Sequence, residues 1–259
     1  MKSPNPTVKV SFDERIATLT LNRPERRNAL SVDMWREFSA ALDAVANSEA
    51  RVLVITGEGS VFCAGADLSK PEGERTDLAT TLSIGNDACL ALFEIPVVTI
   101  AKVRGAAIGV GMNIALACDF VISTDSAKFG ETFINLGLSI DGGGSWLLPR
   151  LVGLRAAKEL SILGDVIDGA TAHRMGIVSR SVSEDELEAT VDAWCHRLID
   201  KSADALRSTK RLLNDGSEKT FRQALGDEAS AQLLNMRSDE ARAGLARFRG
   251  EKPQKDSSR

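Results

Sequence analysis

Three short segments of the chain combine residue types that could stabilise an oxyanion or transfer a proton. Residues 62–68 read Phe-Cys-Ala-Gly-Ala-Asp-Leu, and residues 105–111 read Gly-Ala-Ala-Ile-Gly-Val-Gly. Small residues let a ligand approach the backbone, where exposed N–H groups can stabilise an oxyanion. In the third segment, Asp141 lies between an apolar stretch and three glycines. A carboxylate in such a dry setting has a raised pKa and can carry protons.

Each segment also has a purely structural interpretation. The first could be a tight connection between a strand and a helix. The second could allow close packing of a helix on a strand, and its spacing differs from the G-x-G-x-x-G pattern of dinucleotide sites. The Asp141 side chain could cap a helix that begins near Gly144. Taken singly, the segments leave both interpretations open.

The elements around these segments follow an α/β pattern. Ser31 is a good N-cap for a helix in which Met34, Phe38, Leu42 and Val45 recur at helical spacing. From about residue 184 the pattern becomes helical, and the alternation of strands and helices before it predicts a parallel sheet with right-handed crossovers. The predicted elements are a hairpin over 8–12 and 16–21, strands over 52–56, 97–101 and 120–123, helices over 78–93 and 112–117, and three later helices over 187–198, around 206–213 and over 220–236.

The amino-acid composition of the chain argues against several classes of function. The chain has 259 residues with 43% hydrophobic and 26% charged side chains, which is typical of globular proteins. Its net charge of −4 argues against nucleic-acid binding. The cysteines lack metal-site spacing and there are two histidines, so we expect no metal. Without a signal-like or membrane-length apolar run, we expect no membrane partner and a cytoplasmic location.

In this order and spacing, the three segments resemble the crotonase (enoyl-CoA hydratase/isomerase) superfamily. The resemblance extends over residues 8–250. It implies an α/β fold in which residues 1–195 form a crotonase-type spiral of ββα repeats. Residues 196–259 would form a C-terminal helical region that builds homotrimers or hexamers. Further matching motifs lie in residues 22–30, 95–98, 127–130, 147–153 and 169–178.

The resemblance also implies a site for an acyl-CoA thioester. The backbone N–H groups of Ala66 and Val110 would bind the thioester oxygen, and Asp141 would be the acid/base. Coenzyme A is part of the substrate, so no separate cofactor is implied. Met112, Leu136 and Ile140 are further candidates for the acyl pocket. The substrate-binding residues implied are Arg26, Ala29, Ala64, Asp67, Leu68, Asn113, Phe133, Trp146, Phe248 and Lys252.

The site pattern departs from that of a hydratase. Enoyl-CoA hydratases resemble one another in two glutamates that hold water, and here these positions are Asn113 and Phe133. Glu131 is acidic but lies two residues early, and it is a minor candidate for the same task. An aspartate at the position of Asp141 resembles the branch of 1,2-epoxyphenylacetyl-CoA and dienoyl-CoA isomerases. The pattern therefore favours an enoyl-CoA isomerase.

Two alternatives stay open. The first is an enoyl-CoA hydratase of fatty-acid or aromatic-acid degradation. The second is a non-catalytic acyl-CoA-binding subunit, which would bind the thioester without turnover. A nicotinamide-dependent dehydrogenase would need a glycine fingerprint in its first βα turn, but residues 22–30 contain no glycine.

Overall fold

The structure is a computed structural model that describes residues 5–69 and 77–250. The chain forms two compact units, Met1–Leu198 and Ile199–Arg259. The division lies just after the boundary at residues 195 and 196 that the resemblance implies.

The first unit contains a six-stranded sheet. An antiparallel hairpin of β1 (Val8–Asp13) and β2 (Ile16–Leu21) begins it. Parallel strands follow in the order β3 (Val52–Gly57), β4 (Val98–Val103), β6 (Phe120–Thr124) and β9 (Arg180–Val182). The first four residues of β3 are all buried, as expected for an apolar strand that is covered on both faces.

A second, three-stranded sheet holds the shorter strands of this unit. It consists of β5 (Ala106–Ile108), β7 (Lys128–Gly130) and β8 (Val166–Asp168), in that spatial order. We did not predict these strands, because three residues are too few to show alternation. Strand β5 lies inside the glycine-rich segment 105–111, so one end of the candidate site is anchored in this sheet.

Helices of the first unit pack around the sheets. The Ser31 hydroxyl accepts a hydrogen bond from the Met34 N–H at 3.2 Å, as predicted, and caps α1 (Val32–Ala46). The predicted apolar face of α1 is buried, which fixes the helix against the core. The other helices are α2 (Leu78–Glu94), α3 (Val110–Leu116), α4 (Gly144–Leu163), α5 (Gly169–Met175) and α6 (Leu187–Ile199).

The second unit is helical. It contains α7 (Ala203–Gly216), α8 (Phe221–Asn235) and α9 (Asp239–Phe248). Helix α9 was not predicted, although Ser238 caps it through the Ala241 N–H at 3.1 Å. The α/β architecture with C-terminal helices confirms the fold class. Within the described ranges, no helix is long and apolar enough to cross a membrane.

Candidate active site

A cavity of about 630 Å³ lies in the first unit. Its walls come from the start of α1, the loop after β3, the first half of α2, the β5–α3 junction and residues 132–142. The three chemistry-bearing segments predicted from the sequence therefore surround one space. Much of its lining is apolar, with side chains that include Leu30, Trp35, Leu82, Phe133 and Leu136.

The backbone at Ala66 directs an N–H group away from its neighbouring strand. Leu30 and Ala66 form a parallel bridge, in which the Leu30 N–H donates to the Gly65 carbonyl at 2.8 Å. The Asp67 N–H then donates to the Leu30 carbonyl at 3.0 Å. Alternation along the strand turns the Ala66 N–H to the other side, where no described residue accepts it. Ala66 lines the cavity, so this N–H is a suitable oxyanion donor.

Val110 supplies a second free donor at the first residue of α3. Gly109 precedes it with φ +55° and donates its own N–H to the Gly130 carbonyl at 2.8 Å. The Val110 N–H has no acceptor in the described part of the chain, as is usual in the first turn of a helix. Hydrogen bonds between Cys63 and the β5 backbone join the two loops, so both donors border the same cavity.

Asp141 also lines the cavity and lies just before α4. Its Oδ1 atom is buried and has no hydrogen-bond partner among the described residues. Burial raises the pKa of this carboxyl above its usual value. Gly143 is the N-cap of α4, and no side chain caps this helix end. The helix-capping interpretation of Asp141 is therefore wrong.

The other carboxylates that line the cavity already have partners. Asp33 pairs with Arg36 at 3.4 Å on the exposed surface of α1. Asp67 pairs with Arg23 at 3.0 Å, and Asp77 accepts the Thr80 N–H at 3.0 Å as the N-cap of α2. Of the described carboxylates around the cavity, Asp141 alone retains a buried oxygen without a partner.

Four of the predicted substrate-binding residues line the cavity, namely Ala64, Asp67, Leu68 and Phe133. Leu136, a predicted residue of the acyl pocket, lines it as well. The remaining predicted residues have other surroundings. Arg26 is exposed, and the Ala29 carbonyl accepts a hydrogen bond from Arg23 at 2.6 Å. Phe248 is 90% exposed in the second unit, and Lys252 lies outside the described residues. Their contacts with CoA stay predictions.

Asn113 and Trp146 do not belong to the described cavity lining, and their contacts with a substrate stay predictions. Asn113 is fully buried and donates to the Asp141 carbonyl at 2.9 Å. Trp146 packs edge-on against Phe93 at 5.4 Å, and the Arg150 guanidinium covers its ring at 3.7 Å. Both side chains are therefore engaged by the protein itself. Met112 and Ile140 also lie outside the lining.

Arg23 is a residue of the site that sequence reasoning missed. Besides its ion pair with Asp67, it donates to the Ala29 carbonyl, so it ties residues 23–29 to the loop that carries Ala66. Burial tends to raise the pKa of Asp67, but hydrogen bonds from Ser69 and the Arg23 charge outweigh this and lower it. Asp67 therefore holds the loop as a carboxylate. Arg23 and Asp67 are distant in the sequence, so no local pattern of residues indicates their ion pair.

Comparison with known proteins identifies the family. A family model described as "Enoyl-CoA hydratase/isomerase" matches residues 11–256. A Rhodobacter capsulatus protein named "Probable enoyl-CoA hydratase" is 35% identical over 248 residues, covering 95% of this chain and 96% of that protein. The 1,2-epoxyphenylacetyl-CoA isomerase of Escherichia coli is 34% identical over 242 residues, covering 91% of this chain and 92% of that enzyme.

Solved structures agree with this assignment. A Thermobifida fusca protein crystallised in complex with CoA superposes with a TM-score of 0.83 at 35% identity, covering 93% of this chain and 95% of that one. The crotonase-type fold predicted from the sequence is therefore confirmed. The match includes the loops that carry Ala66, Val110 and Asp141. This chain belongs to the enoyl-CoA hydratase/isomerase family, the acyl-CoA enzymes of the crotonase superfamily.

Proposed function

We propose that the chain is an enoyl-CoA isomerase in which Asp141 is the acid/base. The N–H groups of Ala66 and Val110 would hold the thioester oxygen. The observation that carries this proposal is that Asp141 lines the cavity and keeps a buried Oδ1 atom without a partner, whereas the other described carboxylates of the lining are paired. The relative that was crystallised with CoA supports a CoA thioester as the substrate.

The proposed reaction needs one base and one oxyanion site. Hydrogen bonds from the two N–H groups polarise the thioester carbonyl and stabilise the enolate that forms when a proton leaves C2. Asp141 removes that proton and returns it to C4, so the double bond moves from the 3-position to the 2-position. Its raised pKa suits both steps, because an acid/base works best when its pKa approaches the working pH. These proton transfers require neither a metal nor a redox cofactor.

Hydration would require a group that activates water, and the cavity offers little for this. Phe133 presents an apolar ring, while Asn113 and Glu131 are fully buried and lie outside the described lining. Hydratase activity stays the second candidate, because the name of the Rhodobacter capsulatus relative favours it. The geometry around Asp141 favours proton transfer without water.

Turnover of two matched substrates tests the proposal. With trans-3-hexenoyl-CoA, we expect conversion to the conjugated 2-enoyl thioester, followed by ultraviolet absorbance. With trans-2-hexenoyl-CoA, we expect little 3-hydroxyacyl-CoA, followed by chromatography. Brisk hydration without double-bond migration would reject the isomerase in favour of the hydratase. Binding of both thioesters without turnover of either would support the non-catalytic subunit instead.

We also propose that the chain assembles as a homotrimer or as a dimer of trimers. Large apolar side chains of the second unit are exposed in the single chain, among them Leu213, Phe221 and Phe248. Burial in an assembly would remove this apolar surface from water. Light scattering of the purified protein should therefore give the mass of three or six chains. A monomer at micromolar concentration would contradict this proposal.

A further inference from the structure

A pair of buried polar side chains lies behind Asp141 and is not used by the proposed chemistry. Asn113 on α3 and Glu131, just after β7, are both 0% exposed. One N–H of the Asn113 amide donates to the Asp141 carbonyl at 2.9 Å, and the same nitrogen lies 3.4 Å from Glu131 Oε2. The pair therefore connects a buried carboxyl to the backbone of the proposed base.

Each member of this pair also has an oxygen without a partner. Asn113 Oδ1 and Glu131 Oε1 are both buried, and neither has a hydrogen-bond donor among the residues that the structure describes. Leaving two such oxygens unsatisfied is costly, and buried polar atoms in native proteins rarely lack partners. A carboxylate can only accept hydrogen bonds, whereas a carboxylic acid can also donate one. A single proton on Glu131 would satisfy both oxygens.

We propose that Glu131 is a neutral carboxylic acid, paired head-to-head with the Asn113 amide, and that this pair positions Asp141. Glu131 Oε1–H would donate to Asn113 Oδ1, while Oε2 accepts from Asn113 Nδ2. The second N–H of Asn113 is then directed at the Asp141 carbonyl, where it holds the loop that carries the base. Glu131 is thus a positioning residue that acts through Asn113. The catalytic part of this inference rests on the proposed isomerase function.

The electrostatic surroundings favour the neutral acid. Burial, the largest effect, raises the pKa of Glu131 to about 8; the Asn113 hydrogen bond lowers it, and the Asp141 charge adds a smaller upward shift. Burial, with a smaller contribution from the Asp141 charge, raises the pKa of the Cys89 thiol to about 12, so this thiol stays neutral. Lys128, on the strand before Glu131, is exposed to solvent. Glu131 is therefore protonated at neutral pH and ionises above about pH 8.

Ionisation of Glu131 would disturb the proposed base in two ways. The pair loses the proton that Glu131 donates to Asn113 Oδ1, so the amide is held less firmly in one orientation. A new negative charge also appears beside the Asp141 carboxylate, and the two like charges repel each other. Both effects lower the fraction of enzyme with a correctly placed base. Double-bond migration should therefore decline on the alkaline side of pH 8.

The variant Glu131→Gln tests this positioning role through the pH profile. A glutamine can donate to Asn113 Oδ1 and accept from Asn113 Nδ2 at every pH. We expect kcat of the wild type to fall up to about tenfold per pH unit above the Glu131 pKa, as for a single ionisation. In Glu131→Gln this alkaline decline should be absent. An unchanged decline in the variant, or no decline in the wild type, would overturn the positioning role.

Glu37→Gln is the matched control. The Glu37 carboxylate accepts hydrogen bonds from Thr7 and Val8 at the start of β1 and does not line the cavity. Removing this carboxylate should leave the alkaline decline as in the wild type. If Glu37→Gln abolished the decline as well, the effect would not be specific to Glu131 and the proposal would fail.

A second measurement is independent of the reaction. In protein labelled with ¹³C at glutamate side-chain carboxyls, one resonance should vanish in Glu131→Gln, and in the wild type it should titrate near pH 8. Titration at the ordinary glutamate pKa of about 4.3 would overturn the neutral pair whatever the enzyme catalyses. If the resonance titrates near 8 but no isomerisation is found, the pair stands and the proposed function fails.

Discussion

Asp141→Asn should lower kcat for double-bond migration by about 10²- to 10⁴-fold, the range typical of losing a general acid/base. An asparagine has nearly the same shape as an aspartate but cannot take up or return a proton at neutral pH. In the proposed site, the Ala66 and Val110 N–H groups and the cavity walls would supply most of the thioester binding, so KM should change much less than kcat. Stopped-flow absorbance of the conjugated product measures both quantities.

The same substitution should leave the folded state intact or make it more stable. Asp141 Oδ1 is buried without a partner among the described residues, and burial disfavours its charged form. A neutral side chain at this position therefore removes a cost from the folded state. A helix-capping aspartate would behave in the opposite way, because its loss typically costs about 1 kcal/mol. Urea unfolding of both proteins distinguishes these roles.

Asp43→Asn is the control for a general loss of negative charge. Asp43 is exposed on α1 and lies outside the cavity lining, so its substitution should leave kcat near the wild-type value. Rapid migration by Asp141→Asn would mean that another group removes the proton, and Asp141 would no longer be the proposed base.

Gly65→Ala should lower kcat by about 10²- to 10³-fold, the effect typical of losing one oxyanion donor. Gly65 has φ +98°, and a Cβ atom there would lie 2.9 Å from the Ile108 carbonyl oxygen. To avoid this contact, the loop that carries Ala66 must move relative to the β5 segment that leads to Val110. The two proposed oxyanion donors would then no longer be directed at the same oxygen. Because the enolate carries more charge than the ground-state carbonyl, kcat should suffer more than KM.

Gly59→Ala controls for backbone strain in a glycine of the same unit. Gly59 has φ +77°, and its Cβ would meet Pro24 at 3.3 Å, outside the cavity lining. Both variants should lose some stability, while Gly59→Ala keeps its turnover. Equal activity of folded Gly65→Ala and wild type would contradict the assignment of Ala66 and Val110 as oxyanion donors.

The sequence predicted several of the longer elements of the fold, although it gave no range for the longest helix, α4. The Ser31 cap and the 3.6-residue spacing of α1 are local signals, and the helix predicted over 78–93 corresponds to Leu78–Glu94. The second sheet was missed because β5, β7 and β8 each have three residues and pair only with distant partners. Such pairing depends on the tertiary fold rather than on local periodicity.

The candidate site, like the fold, could be predicted from the sequence only in part. Small residues after β3 and near β5 indicated where a ligand could approach the backbone, and Asp141 stood out by its glycine-rich surroundings. The pairing of Arg23 with Asp67 and of Asn113 with Glu131 joins residues that are far apart in the chain. Neither pairing leaves a mark in the local sequence. Sequence reasoning therefore named most of these side chains but missed the contacts that join them.

The two proposed oxyanion donors belong to the main chain, and this affects how the enzyme can evolve. Most substitutions at positions 66 and 110 preserve an N–H group, so the ability to stabilise an enolate is robust to point mutation. The proposed base is a single side chain, and one codon change can remove or replace it. A protein with this scaffold could therefore exchange one thioester reaction for another through a few cavity side chains, while the proposed oxyanion donors are retained with the backbone.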